Sequence, residues 1–331
     1  LVEKFSEFDR MELDQIYDKI KSNFFQTPLI YAEFLSKRYE RDIYLKLENF
    51  QKTGAFKIRG NSYKLAELPS GRLKKGVVTA SSGNHGLGLS LAARSKDVPA
   101  RIFVPHKTPQ TKIDKIRSLG AEIRIAGDNY DEAVKIAKNF AAENERVYIS
   151  SFDDQDIIRG NTTLGYEIFT QLPEPGAVVA PIGGGGGISG ISLARNVFSS
   201  STLIYGVEAG GAASMRNSLQ KTRIESLAEV DTLADGIKVA RPGDLTFEIV
   251  RENVEKVFAV SEDEMKESFR ELLLEANLTA ELAGAVSVAA LDKLTLSGGE
   301  GPVVCLISGG NIDRELIVDI LSELDSSQKH Q

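Results

Sequence analysis

A chain of 331 residues is long enough for one large or two medium domains around a sizeable core. Hydrophobic residues at 42% and charged residues at 26% exclude a disordered or fibrous protein, and a net charge of −7 without basic blocks argues against nucleic acid as a partner. Cys305 is the one cysteine, so no intrachain disulfide forms, and neither the N-terminal Leu1-Val2-Glu3-Lys4-Phe5 nor any later stretch reads as a signal peptide or membrane span. A cytoplasmic protein with no membrane partner is expected.

In chain order, residues 11–22 read as a helix that stops before Thr27-Pro28, and 43–47 alternate as a strand. A helix over 58–68 follows the stretch around Lys57. From residue 75 the pattern turns to strand and helix in alternation, with strands at 77–80, 100–104 and 121–125. Ala133, Ile136, Ala137, Phe140 and Ala141 share one helical face, so 75–150 read as a small open α/β lobe with right-handed crossovers. The second half repeats the theme, with strands at 177–182, 203–208 and 303–307. Ser261 and Glu264 form a capping box, opening a helix whose Met265, Phe269, Leu272, Leu273 and Ala276 face one way. The polar tail 325–331 is expected to fray.

The stretch around Lys57 and three Gly-rich turns that each follow an apolar strand carry chemistry. Lys57 stands next to Phe56, and an apolar neighbour lowers a lysine's pKa and frees its amine to condense with an aldehyde. The ordinary reading of one lysine is a solvated surface charge. Gly183, Gly184, Gly185, Gly186 and Gly187 leave several amides clear ahead of a helix, which suits a phosphate. The run is not a P-loop, since no Gly-Lys-Ser/Thr follows, although Glu208 keeps a dinucleotide site open. The turn Ser81-Ser82-Gly83-Asn84-His85 suits a carboxylate or a polar ring substituent, or is an ordinary helix cap. Ser308 before Gly309-Gly310 offers a hydroxyl, or is only a turn residue.

Taken together, Glu48-Asn49, Thr53-Gly54-Ala55-Phe56-Lys57-Ile58-Arg59-Gly60, the Ser81 turn, the glycine run and Ser308-Gly309-Gly310-Asn311 resemble the fold-type II pyridoxal-phosphate enzymes. Over about residues 15–315 the chain is most similar to threonine and serine dehydratases and serine racemase. Leu233-Ala234-Asp235-Gly236 and Arg241-Pro242-Gly243-Asp244-Leu245-Thr246 bring it closest to catabolic threonine dehydratases. The resemblance implies an α/β fold of the tryptophan synthase β-like kind, with two open, twisted, mostly parallel sheets flanked by helices. A large cofactor domain would comprise 1–74 and 151–331 and a small domain 75–150, with no C-terminal regulatory domain.

It further implies that Lys57 forms the Schiff base with pyridoxal 5'-phosphate and acts as the α-proton base, with Phe56 against the ring. Asn84 would bond the ring hydroxyl, the five glycines the phosphate and Ser308 the pyridine nitrogen, while Ser81, Ser82, Gly83, Asn84 and His85 grip the substrate carboxylate. A hydroxyl in place of a carboxylate at the ring nitrogen weakens the electron sink and favours prompt loss of a β-substituent. The implied activity is elimination from L-threonine and L-serine to a 2-oxo acid and ammonia, in a homodimer or homotetramer.

Some positions depart from the pattern. Ala55 replaces a serine, Gly160-Asn161-Thr162-Thr163 replaces Gly-Gln-Gly-Thr, and Arg159 replaces a small residue, which opens hydroxyaspartate as a substrate. Ser82 matches the racemase's second base, so serine or another amino acid could be racemized. Glu208 and Ala212 match ligands of a divalent cation, Mg2+ or Ca2+, with Ser214 where the family has a carboxylate. A pyridoxal-phosphate-binding regulator without turnover is the reading from another class, and the intact Lys57 and Ser308 count against it. Enzymes of the cysteine synthase type fit less well, because their turn carries threonine where His85 stands.

Overall fold

The computed structural model describes Phe5 and residues 8–198, 201–294 and 301–328. The expectations for the first four residues, and for the tail at 329–331, lie outside the described residues. Up to Gln328 the tail is helical instead of frayed, because it continues the last helix.

Two sheets form. The larger has six strands in the order β1 (Leu29–Tyr31), β2 (Ile43–Leu47), β10 (Val303–Ile307), β7 (Ala177–Pro181), β8 (Leu203–Ala209), β9 (Lys256–Val260). The smaller has four, in the order β5 (Glu122–Ile125), β4 (Ala100–Val104), β3 (Val77–Ala80), β6 (Val147–Tyr148). Every pairing is parallel except β1 with β2.

Parallel strands covered on both faces need apolar residues at every position, and the side-chain period of two divides them between two cores. Val303, Cys305 and Ile307 of β10 join one core with Val179 and Val207, while Val304 and Leu306 join the other with Val178, Ala180 and Ile204. The first core is closed by α12 (Glu262–Leu274) and α13 (Leu282–Ala289), the second by α8 (Gln155–Gln171), α9 (Gly186–Phe198) and α11 (Asp244–Asn253). The predicted capping box at Ser261 and Glu264 is present.

On the smaller sheet, α7 (Tyr130–Glu143) lays Ala133, Ala137 and Ala141 against Val78 and Phe103, the face its spacing predicts. The opposite face packs on α5 (Asn84–Arg94) and α6 (Gln110–Ser118), and on Ile58, Tyr63 and Leu65 of α3 (Ile58–Glu67). The first helix, α1 (Arg10–Ile20), adds Ile16 and Ile20 to that shared core. Short helices α2 (Glu33–Tyr39), α4 (Ser70–Lys75), α10 (Ser214–Gln220) and the last helix α14 (Arg314–Gln328) complete the chain.

Part of the inward face of helix α8 is polar, with Asn161, Thr162, Thr163 and Glu167 buried. Its Glu167 is fully buried with Lys46 at 2.6 Å and Arg59 at 2.8 Å, and Arg59 also pairs with the buried Glu48 at 2.7 Å. Burial pushes the Glu48 carboxyl up, but Arg59 and Lys46 outweigh it and hold that carboxyl below the ordinary range. Lys46 is pulled down by burial in spite of its acidic partners. Backbone contact brings the same helices together. At Gly160 of α8 a β-carbon would lie 2.7 Å from the Gly60 α-carbon of α3, so only hydrogen fits.

Removing one partner of such a cluster leaves a buried charge without compensation. Arg59→Met is expected to lower the unfolding free energy by about 3–5 kcal/mol in chemical denaturation. A loss under about 1 kcal/mol would be the behaviour of surface ion pairs and would contradict this account.

Candidate active site

Lys57, the glycine run, the Ser81 turn and Ser308 all follow the carboxyl ends of parallel strands, where an open α/β sheet leaves helix amides free for ligands. Lys57 is the residue just ahead of α3, and its Nζ donates to the Ser151 carbonyl oxygen at 3.0 Å, 5.1 Å from the centre of the Phe56 ring. Burial pulls its pKa from the ordinary 10.5 down to about 8, and the negative charge of Glu281 opposes that shift.

Phe56 and Ser308 are tied by the backbone. The Phe56 N–H donates to the Ser308 carbonyl oxygen, and Ala55 bridges Gly309. Serine in place of Ala55 is not needed for this contact, which uses only main-chain atoms. The Ser308 hydroxyl, nearly buried, has only a long 3.4 Å bond to the Ala283 carbonyl oxygen.

The glycine loop is shaped by its neighbours as well as by open amides. A β-carbon on Gly184 would fall 2.2 Å from the Phe152 ring, and one on Gly187 would fall 3.1 Å from the Phe56 ring. Thr246 of α11 donates its hydroxyl to the Gly184 carbonyl oxygen at 2.6 Å, and Asn161 of α8 donates to Gly186 at 3.1 Å. Helix α9 starts at Gly186, so its first amides have no carbonyl one turn earlier to bond. They face the site with the positive end of the helix dipole.

In the Ser81 turn, Asn84 donates Nδ2 to Glu281 at 2.7 Å and accepts at Oδ1 from Asn311 at 2.7 Å. Ser82 is half-buried and its hydroxyl has no hydrogen-bond partner among the described residues. The His85 ring is turned inward to Thr79, the Ile149 carbonyl and Asn61. Burial and the Lys57 charge pull its pKa down to about 3, so the ring is neutral and spent on structure. Only the backbone of His85 remains for a ligand.

Two suspected residues lie elsewhere. Arg159 pairs with Glu12 of α1 at 2.9 Å over the Phe5 ring, so its charge is not spare for a second substrate carboxylate. Glu208 takes the Met215 and Arg216 amides on its two oxygens, both at 2.8 Å, and burial pushes its pKa up to about 8.

The sequence pattern gave Ser151, Phe152 and Glu281 no place at the site, and Thr246 entered only as part of the motif from Arg241. Only Glu281 carries a signal, as a lone acid at the head of helix α13, which is apolar but for Ser287. An amine with lowered pKa, an amide N–H, a hydroxyl and a dipole-backed phosphate cradle together fit pyridoxal phosphate.

The family described as pyridoxal-phosphate dependent enzyme matches residues 20–309. The chain is 43% identical over 305 residues to an L-threonine ammonia-lyase of Thermotoga maritima, covering 92% of this chain and 76% of that one. Among solved structures it is similar to the processed form of threonine deaminase isoform 2 from Solanum lycopersicum, with a TM-score of 0.87, 35% identity and coverage of 94% and 93%. It is also similar to maize serine racemase, with a TM-score of 0.89, 28% identity and coverage of 98% and 99%.

In the cofactor-free protein the Lys57 amine is expected to titrate near pH 8, below the ordinary 10.5. Unfolded chain then binds more protons than folded chain between those values, so stability rises as pH climbs through that window. Amine labelling of Lys57 against pH, read by mass spectrometry, checks the first point. A midpoint shared with the surface lysines would contradict it.

Proposed function

The chain belongs to the pyridoxal-phosphate dependent enzymes, and on that premise we propose that it is a lyase that dehydrates and deaminates L-threonine and L-serine to 2-oxobutyrate or pyruvate and ammonia. The observation that carries this reading is the low-pKa amine of Lys57 at one site with Asn84, Ser308 and the open amides of α9. Its relatives are named threonine ammonia-lyases and dehydratases, one of them the catabolic enzyme of Escherichia coli.

When bound, pyridoxal phosphate supplies the electron sink for charge at the substrate's α-carbon. Lys57 would hold the cofactor through its amine and, as the free base, would take the substrate's α-proton at Nζ. Phe56 would lie against the cofactor ring, Asn84 would offer an N–H to its hydroxyl, and Ser308 would offer a hydroxyl to its nitrogen. Amides of the run Gly183, Gly184, Gly185, Gly186 and Gly187 would hold the phosphate. The Ser81, Ser82, Gly83, Asn84 and His85 turn receives the substrate carboxylate, with His85 contributing through its backbone. The β-hydroxyl leaves as water, and hydrolysis of the product gives the 2-oxo acid and ammonia.

In this reading residues 75–150 form the small domain, and 1–74 with 151–331 the large one. The single buried Cys305 supports a cytoplasmic enzyme, and the exposed Phe25 and Phe50 support a homo-oligomer. Among the described residues no helix is long and apolar enough to cross a membrane.

A divalent cation fits poorly at Glu208, Ala212 and Ser214. Both Glu208 oxygens are engaged by amides, and the buried Ser214 hydroxyl, without a partner among the described residues, is a weak ligand by itself. No step is assigned to a cation, and added Mg2+ or Ca2+ is expected to leave the melting temperature unchanged. A clear upward shift would restore the site.

A second reading, racemization, is favoured by the uncommitted Ser82 hydroxyl. The deciding experiment supplies cofactor-loaded protein with L-threonine, L-serine, D-serine and threo-3-hydroxyaspartate, and scores 2-oxo acid, ammonia and the enantiomer left. Oxobutyrate and ammonia from threonine are expected, and Lys57→Ala should lower turnover about a thousandfold or more. Ser82→Ala should abolish any inversion and spare elimination. Silence on all four substrates would overturn the lyase assignment.

A further inference from the structure

Glu281 lies at the start of α13, nearly buried, and its carboxylate accepts from Asn84 Nδ2 at 2.7 Å. Asn84 is the middle of a line of polar groups. Lys115 of α6 donates to Asn311 Oδ1, and Asn311 Nδ2 donates to Asn84 Oδ1 at 2.7 Å and to the Thr53 carbonyl oxygen at 2.8 Å. One end of the line is an ammonium, which can only donate. The other is a carboxylate, which can only accept when ionised.

Those two ends fix the direction of every amide between them. Asn311 must accept from Lys115 and donate onward, and Asn84 must accept from Asn311 and donate to Glu281. The second hydrogen on Asn84 Nδ2 is then left over for a ligand. Glu281 is also the charge that acts on the Lys57 amine. We propose that Glu281 is a positioning residue of the active site, holding Asn84 in the one amide orientation that points an N–H at the cofactor and placing its carboxylate at the turn that Gly309 and Ala55 bring beside Lys57.

The inference rests on the pyridoxal-phosphate reading above and goes beyond it by naming what orients the residue toward the ring hydroxyl. The packing leaves little freedom at Glu281. A β-carbon on Gly309 would fall 2.6 Å from its Oε1, and one on Gly236 would fall 3.0 Å from the same atom. Charged groups that act on Glu281 from other elements are Asp235 before α11, and Lys112 and Lys115 on α6. Burial raises the Glu281 carboxyl to about 7, and the Asn84 bond works against that rise.

The test follows the visible absorbance of bound pyridoxal phosphate against pH, together with the affinity for the cofactor measured by reconstitution. Glu281→Gln keeps an acceptor for Asn84 and removes the charge. Its absorbance midpoint should fall by about one pH unit, with cofactor affinity within about threefold of wild type. Glu281→Ala should show the same fall and bind cofactor about tenfold more weakly. Asn311→Leu, which leaves the charge in place, should weaken binding about tenfold with its midpoint unmoved. A wild-type midpoint in both Glu281 variants, or wild-type affinity in Glu281→Ala and Asn311→Leu, would overturn the proposal alone. A wild-type protein that takes up no cofactor would overturn the underlying reading and this one with it.

Discussion

Arg59 lies between Glu48 and Glu167, Lys46 closes the set, and none of the four side chains reaches water. The cluster joins β2, the turn after it, α3 and α8 behind the site. Lys57 stands two residues from Arg59, so its place depends on charges that cannot be moved singly without exposing a partner to an apolar interior. Tight backbone contact at Gly60 and Gly160 seals the same joint from the other side. Catalytic geometry of this kind needs a rigid second layer, because a misplaced amine loses the orientation that its reaction requires.

In front of that frame the electrostatics are tuned in the opposite sense. Burial moves Lys57 down to about 8 and Glu281 up to about 7, so each is driven toward its neutral form and each is held back by what it faces. An amine near neutrality can condense with a carbonyl and take a proton, which a solvated lysine at the same pH does poorly. The inward turn of His85 serves the same end. A neutral buried ring next to Lys57 adds no competing positive charge.

The glycine loop answers to two demands at once. Its amides stay open at the head of α9, and the absent β-carbons let Phe152 and Phe56 approach. Residues 151–154 link the two sheets to this loop: Ser151 receives Lys57, Phe152 covers Gly184, Asp153 takes the first amides of α11, and Asp154 caps α8.

Much of this was legible in the chain. Apolar runs such as 177–182 and 303–307 announce strands covered on both faces, and the glycines and Lys57 stand out because no surface or core needs them in those places. The paired alanines of α7 give its inner face directly. What local pattern could not give was any element whose buried face is polar or featureless. Helix α8 hides the Glu167 charge, which only a distant Arg59 and Lys46 make tolerable, and α13 is buried on all sides. Arg159 drew suspicion from its position in a motif, and only the fold reveals Glu12 beside it. The sequence by itself determined the strand ends and the residue types that gather at them, because backbone period and glycine are local properties. Tertiary structure alone decided which of those residues are free to act, because hydrogen-bond partners such as Glu281 and Asn311 for Asn84 come from 197 and 227 positions away.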